Sequence, residues 1–246
     1  MAAAVPRQQT WLKTHEPDAI ADLNGLPLHV RDQHNRERIH ARLQELYAEL
    51  AHLGCPITPQ QQAYVKKTRA LIAAHEAMLA PDLTVLLYDP TGDGRAAIAI
   101  GDLATASHIG ILVPGTGTEL DDFGGMIRNT RALNAEAIRQ GSRDHAVIAR
   151  LGYDAPPDIP AASTKGYALG GAIALAPFVH ELRTINTRHA EVTVMGHSYG
   201  STVTGTAATA GMKADRIVLV GSPGTHARNA DGLGMSPKRI CRPRSG

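Results

Sequence analysis

The stretch EVTVMGHSYGSTVTGTAATAGM, residues 191–212, decides the fold. Glu191–Met195 is a short apolar run with β-branched residues and reads as a strand, while Gly200–Met212 is rich in small residues and reads as a helix. Between them Gly196, Ser198 and Gly200 fit the spacing G-x-S-x-G. A strand before that spacing and a helix after it is the context that gives it chemical meaning. A serine at such a corner is held on a strained backbone that lifts its Oγ above the carboxyl edge of a sheet. The flanking glycines are needed because a Cβ there would collide with a neighbouring strand or helix. Gly205, Ala207, Ala208 and Ala210 then let the helix approach the sheet closely. Ser198 is therefore the candidate nucleophile, and the competing reading is an ordinary glycine-rich turn.

Arg216–Val220 is the next strand candidate, and upstream His108–Val113 and Ala146–Leu151 are two more. The loop PGTGTELDDF and a helical stretch ending near Gln140 follow the first of these; the loop GYDAPPDIPA and a helical segment from Tyr167 to His189 follow the second. Strands separated by helices imply parallel pairing, right-handed crossovers and helices on both faces. Leu83–Tyr88 and Ala96–Ile100 flank DPTGDG and read as a hairpin. The same hexapeptide has Asp89, Thr91, Asp93 and Gly94 at calcium-loop offsets, but Ile100 stands where a bidentate Glu is needed, so the turn reading prevails.

The first 80 residues read as helical. A short helix is expected over Pro17–Asn24, and Ile39, Leu43, Leu46, Leu50 and Leu53 form one stripe of a longer one, stopped by Gly54, Pro56 and Pro59. Val65, Ile72 and Leu79 mark a second stripe, so an antiparallel helical hairpin is expected, packed internally or on the following domain. The resulting layout is an N-terminal helical region at 1–80, a mostly parallel α/β core at 81–225, and a basic tail at 226–246.

An attacking serine needs donors for the negative charge that develops on the carbonyl oxygen. One is the backbone N–H of Tyr199, directly after the nucleophile and at the positive end of the helix. The second is expected from the loop after an earlier strand, and VPGTGTE fits. Thr116, between Gly115 and Gly117, is the chosen donor, with Gly117 next; the competing reading is a turn that merely needs glycines. A dinucleotide fingerprint is excluded because Leu120 occupies the third glycine position of G-x-G-x-x-G.

Composition narrows the remaining classes. The 246 residues are 43% hydrophobic and 20% charged, which excludes disorder as the overall state. Aromatics at 4% offer no stacking platform for single-stranded nucleic acid. The net charge of +2 is misleading, because Arg228, Lys238, Arg239, Arg242 and Arg244 face only Asp231 in the tail, leaving the body slightly acidic. A nucleic-acid footprint is not expected on such a body, and the tail reads as a solvated end. No apolar run is long enough to span a bilayer and the N-terminus lacks a signal-peptide core, so a cytoplasmic location is expected. Cys55 and Cys241 form no CxxC pair, and the histidines form no HExxH or HxH cluster, so neither a metal nor a cofactor is expected.

GLPLHVRDQHNR (25–36), ILVPGTGT (111–118), LGYDAP (151–156), VMGHSYGST (194–202) and VLVGSPG (218–224) together resemble a family of actinobacterial α/β-hydrolases long labelled a domain of unknown function. The resemblance spans almost the whole chain. It implies an α/β-hydrolase-type sheet behind an N-terminal helical region, and a serine esterase- or lipase-like activity on a small-molecule acyl or ester substrate. One departure is Arg150, where the family usually has Trp before LGYDAP.

In that fold the triad runs Ser, then Asp or Glu, then His along the chain. After Ser198 the acids are Asp215 and Asp231 and the histidine is His226. Asp215 precedes its strand and should lie at the wrong edge, and His226 precedes Asp231, which reverses the order. His197 should point away from Oγ. His226 is thus a weak candidate for the base, and family members continue past GSPG with a further strand and helix. The chain is accordingly expected to be C-terminally truncated, with Arg216–Val220 as an apolar open edge through which it self-associates. Two functions follow: a serine hydrolase, possessing or having lost its acid–base pair, or a non-catalytic interaction module on a hydrolase scaffold.

Overall fold

The computed structural model describes residues 27–55 and 58–241. The helix expected over Pro17–Asn24 lies outside them. Two helices open the fold, α1 (Leu28–Leu53) and α2 (Pro59–Met78). Gly54, at φ 63°, ends α1 in a conformation that suits glycine. Thr58 starts α2 with a reciprocal cap: its hydroxyl accepts from Gln61 N–H at 3.1 Å, and the Gln61 side chain accepts from Thr58 N–H at 3.0 Å.

The sheet is built from β1 (Thr84–Asp89), β2 (Arg95–Ile100), β3 (His108–Val113), β4 (His145–Leu151), β5 (Glu191–His197), β6 (Arg216–Val220) and β7 (Ile240–Cys241). Its strand order is β1-β2-β4-β3-β5-β6-β7. The hairpin β1–β2 is antiparallel and joins β4 antiparallel, and every pairing from β4 to β7 is parallel. In the β1–β2 turn the Asp89 carboxylate accepts from Thr91 N–H and Thr91 hydroxyl, at 3.0 and 2.7 Å, which fixes a turn at DPTGDG.

Helices α3 (Phe123–Arg139), α4 (Ile159–Ala162), α5 (Lys165–Ile185) and α6 (Tyr199–Thr209) complete the architecture. Alternation along β2 separates two cores. Ala96, Ile98 and Ile100 pack with α1, α2 and α3 on one face, whereas Ala97 and Ala99 pack with α5 and α6 on the other. The stripe Ile39, Leu43 and Leu46 of α1 is buried against Val85 and Tyr88 of β1, so the helical hairpin packs on the sheet.

Polar side chains bolt α1 to β1. Asp32 accepts from Val85 N–H at 2.7 Å and Asn35 donates to Val85 C=O at 3.1 Å, so the backbone groups that β1 turns away from β2 are satisfied at that residue. Arg36 adds bonds to the carbonyls of Leu79, Ala80 and Leu83, and Arg31 forms a buried ion pair with Glu181 of α5. Much of the segment GLPLHVRDQHNR is therefore occupied with holding the helix in place.

Two expectations about the C-terminal end need correction. The segment after residue 226 is not simply a solvated end: Leu233 and Met235 are buried in the core beside α6. The edge of β6 is not bare either, because Ile217 and Val218 pair in parallel with Ile240 and Cys241. The basic residues dominate the composition there, but the short 3-10 turns at Asp231–Leu233 and Pro237–Arg239 fold the few apolar side chains back. Val220, beyond the paired register, is 39% exposed.

Candidate active site

β5 leads directly into Ser198, which stands at φ 51° and ψ −125° as the residue before α6. That corner is tied down on both sides. Ser198 N–H donates to Val220 C=O at 2.8 Å, and Ser198 C=O accepts from Ser201 N–H at 3.0 Å and from the Ser201 hydroxyl at 2.6 Å. The glycines of the motif are explained by contact. A Cβ on Gly196 would lie 2.5 Å from Gly200 O and 2.6 Å from Ser201 Cα, and one on Gly200 would run into the carbonyl oxygens of Val113 and Pro114. Ser198 Oγ itself has no hydrogen-bond partner among the described residues.

The loop after β3 comes up against this corner. A Cβ on Gly115 would sit 2.7 Å from Ser198 Cβ and 3.2 Å from Oγ, so only glycine lets the two backbones approach so far. Tyr153, buried, donates its hydroxyl to Pro114 C=O at 2.8 Å and so anchors the loop's first residue. Gly117, at φ 72°, donates its N–H to Pro156 C=O at 2.8 Å. That N–H is therefore spent. The N–H groups of Thr116 and Tyr199, by contrast, have no acceptor among the described residues, which separates the two donors left open by the loop's sequence.

A cleft of about 460 Å³ contains Ser198, Thr116, Tyr199 and His226, with Ser163 and Ile159 on its wall. Its lip falls at the end of the expected loop GYDAPPDIPA. Helix α4 is a single turn inside the proline-rich loop, begun by Asp158, whose carboxylate accepts from Ala161 N–H at 2.7 Å. The signal was present as Asp158 followed by Pro160, an N-cap and a first-turn proline. The buried side chain of Tyr199 fastens the lip from below: its hydroxyl donates to Thr164 C=O at 3.0 Å and accepts from Ala168 N–H at 3.1 Å. Burial raises its pKa, so the phenol stays neutral.

Of the titratable candidates, only His226 shares the cleft with Ser198. It adopts φ 58°, and its Nδ1 lies 3.3 Å from Thr206 Oγ1. No carboxylate bonds to it among the described residues. Asp215 is committed elsewhere, to Arg183 at 2.5 Å and to Val192 N–H at 2.8 Å, at the opposite end of β5 from Ser198. His197 lines a separate cavity of about 360 Å³ with Leu112, Met126 and Met195. Among the described residues no group of three or more His, Cys, Asp or Glu side chains is placed to hold a metal ion. No helix among them is long and apolar enough to cross a membrane.

Comparison with known proteins identifies the family. The sequence model of a family described as alpha/beta hydrolase matches residues 89–244. An uncharacterized protein of Mycobacterium tuberculosis (strain CDC 1551 / Oshkosh) is 33% identical over 244 residues, covering 87% of this chain and 37% of its own length. The chain thus spans little more than a third of that relative. An uncharacterized protein of Mycobacterium bovis is 33% identical over 187 residues, covering 71% of this chain and 68% of its own. Among solved structures, a Pyrobaculum calidifontis esterase aligns over 77% of this chain and 59% of its own at 13% identity, with a TM-score of 0.42. An α/β serine hydrolase without a lid from Xanthomonas campestris aligns over 60% of this chain and 65% of its own at 15% identity, with a TM-score of 0.39. With the family model covering β2 to β7 and the serine corner they enclose, the chain belongs to the alpha/beta hydrolase family.

Proposed function

We propose that the chain acts on an ester or related acyl bond of a small molecule, with Ser198 as nucleophile. The observation that carries this is the corner itself: a serine on strained backbone that opens into a cleft, its Oγ and two nearby backbone N–H groups without partners among the described residues. Ser198 Oγ attacks the carbonyl carbon, and the N–H groups of Tyr199 and Thr116 hold the oxyanion that forms. The cleft volume of about 460 Å³ suits a small acyl compound, and the mixed wall of Ile159, Ser163 and Thr116 suits an apolar chain ending in a polar ester. His226 is the residue available to take the Ser198 proton.

A second reading is favoured by one observation: among the described residues the only hydrogen-bond neighbour of His226 is Thr206, and no carboxylate orients its ring. On that reading the cleft binds acyl compounds and turns them over slowly or not at all. Loss of a triad partner costs on the order of 10⁴-fold in rate. A fluorophosphonate probe and p-nitrophenyl acetate separate the cases. Labelling of the wild type but not of Ser198→Ala, with turnover lost in His226→Gln, supports the hydrolase. Labelling without turnover selects the second reading. Equal labelling of wild type and Ser198→Ala overturns the assignment of Ser198.

A further inference from the structure

Arg150, near the end of β4, is 3% exposed and points away from the Ser198 cleft into a cavity of about 230 Å³ between the hairpin β1–β2 and α5. Its guanidinium lies over the Phe178 ring at 4.8 Å and donates through Nη2 to Ala174 C=O at 2.8 Å. It also covers the Cα of Gly152 so closely that any Cβ there would overlap it. The group is thus positioned by three neighbours. Yet Nε and Nη1 have no acceptor among the described residues. Burial lowers its pKa to about 10, which still leaves it charged at neutral pH.

The other charged side chains of the cavity already have partners. Arg31 pairs with Glu181, Arg95 pairs with Asp154 at 3.0 Å, and the Asp89 carboxylate receives two bonds from Thr91. Arg150 is the charge to which no carboxylate bonds among the described residues. A buried cation without a counter-charge is strongly disfavoured, so the arrangement calls for an anion. Two features define its chemistry. Asp89 and Glu181 stand in the same wall and disfavour a doubly charged oxyanion, and Leu86, Leu87, Pro177 and Phe178 offer apolar surface. We infer that this cavity binds a small organic monocarboxylate, its carboxylate on the Arg150 guanidinium and its hydrocarbon part against Leu86, Pro177 and Phe178. Leu87, Asp89 and Arg95, half-buried, are the members of the lining through which solvent and ligand reach it. The site is independent of the serine chemistry.

Isothermal titration calorimetry with sodium benzoate, at ionic strength matched with chloride, is the test. The wild type and Ser198→Ala are expected to bind benzoate with the same affinity, and neither binds the neutral isostere benzamide. Arg150→Met is expected to weaken benzoate binding by about tenfold or more, the loss typical of a hydrogen bond to a charged group. If Arg150→Met does not fold, the comparison of benzoate with benzamide on the wild type decides alone. Absence of saturable benzoate binding, equal binding of benzamide, or loss of binding in Ser198→Ala overturns the inference. Saturable binding of inorganic phosphate with none of benzoate overturns the assignment of the ligand class.

Discussion

Replacing Ser198 by glycine should stabilise the protein while removing the group on which the proposed chemistry depends. Ser198 sits at φ 51° and ψ −125°, where a Cβ is poorly tolerated. Such a conformation costs about 1–3 kcal/mol for a residue with a side chain. Glycine removes that cost but gives back about 0.5–1 kcal/mol through the greater freedom of the unfolded chain. Nothing else is lost, because Oγ has no partner among the described residues, and both backbone bonds of the corner survive. The midpoints of the two ranges, about 2 and 0.75 kcal/mol, leave a gain of roughly 1.25 kcal/mol, or about 2.5–5 °C in Tm for a chain of this size. Ser198→Ala is the control. It deletes the same Oγ but keeps the Cβ, and should leave stability within about 0.5 kcal/mol of the wild type. Thermal and urea unfolding of the three proteins, run together, measure both differences. If Ser198→Gly proves no more stable than Ser198→Ala, the corner stores no strain and the geometric argument for a poised serine fails.

Three further outcomes follow from named contacts. Gly115→Ala places a Cβ 2.7 Å from Ser198 Cβ, so the loop must move: a loss of about 1–3 kcal/mol and a marked drop in fluorophosphonate labelling are expected, and unchanged labelling would contradict the packing. Tyr153→Phe leaves Pro114 C=O without its buried donor, and should cost about 1–3 kcal/mol in urea unfolding while slowing probe labelling through the loop. His75 is buried, and its pKa is lowered chiefly by desolvation, so the unfolded chain binds its proton more readily than the folded one. Its contribution to stability is therefore complete above the unfolded value of about 6.5 and declines as pH falls through and below it, before the carboxylates titrate. Unfolding measured between pH 7.5 and 5, about that midpoint, should show the decline, and His75→Gln should flatten it.

The order of strands and helices could be read because each element has one apolar periodicity and a clear breaker, as with β2 and its two alternating faces or α1 and Gly54. The serine corner could be read because its glycines answer to local collisions that the motif encodes. The polar residues of α1 could not. Asp32, Asn35 and Arg36 look like a solvated helix face until the edge of β1 is placed beside them. Arg150 was equally opaque: a charged residue in a strand reads as exposed, and only the sheet pairing and α5 show that it is enclosed. The two residues of β7 carry too little pattern to be seen as a strand at all. The position of His226 depends on a left-handed backbone at a residue other than glycine, which no spacing rule foretells.

The clamp between α1 and β1 also bears on how the molecule can be divided. A polypeptide beginning at residue 81 would present Val85, Tyr88, Ile98 and Leu151 to water, since the layer over them is supplied by Ile39, Leu46 and Met78. Shortening the protein to its sheet and the helices that follow residue 81 is thus a poor engineering strategy. A break in the connection between α1 and α2 is a different matter. It severs a link that follows an exposed Cys55 and leaves both helices seated on their shared layer, α1 through Asp32, Asn35 and Arg36. The two pieces should stay associated, which makes that connection the natural place to build a split reporter from this chain.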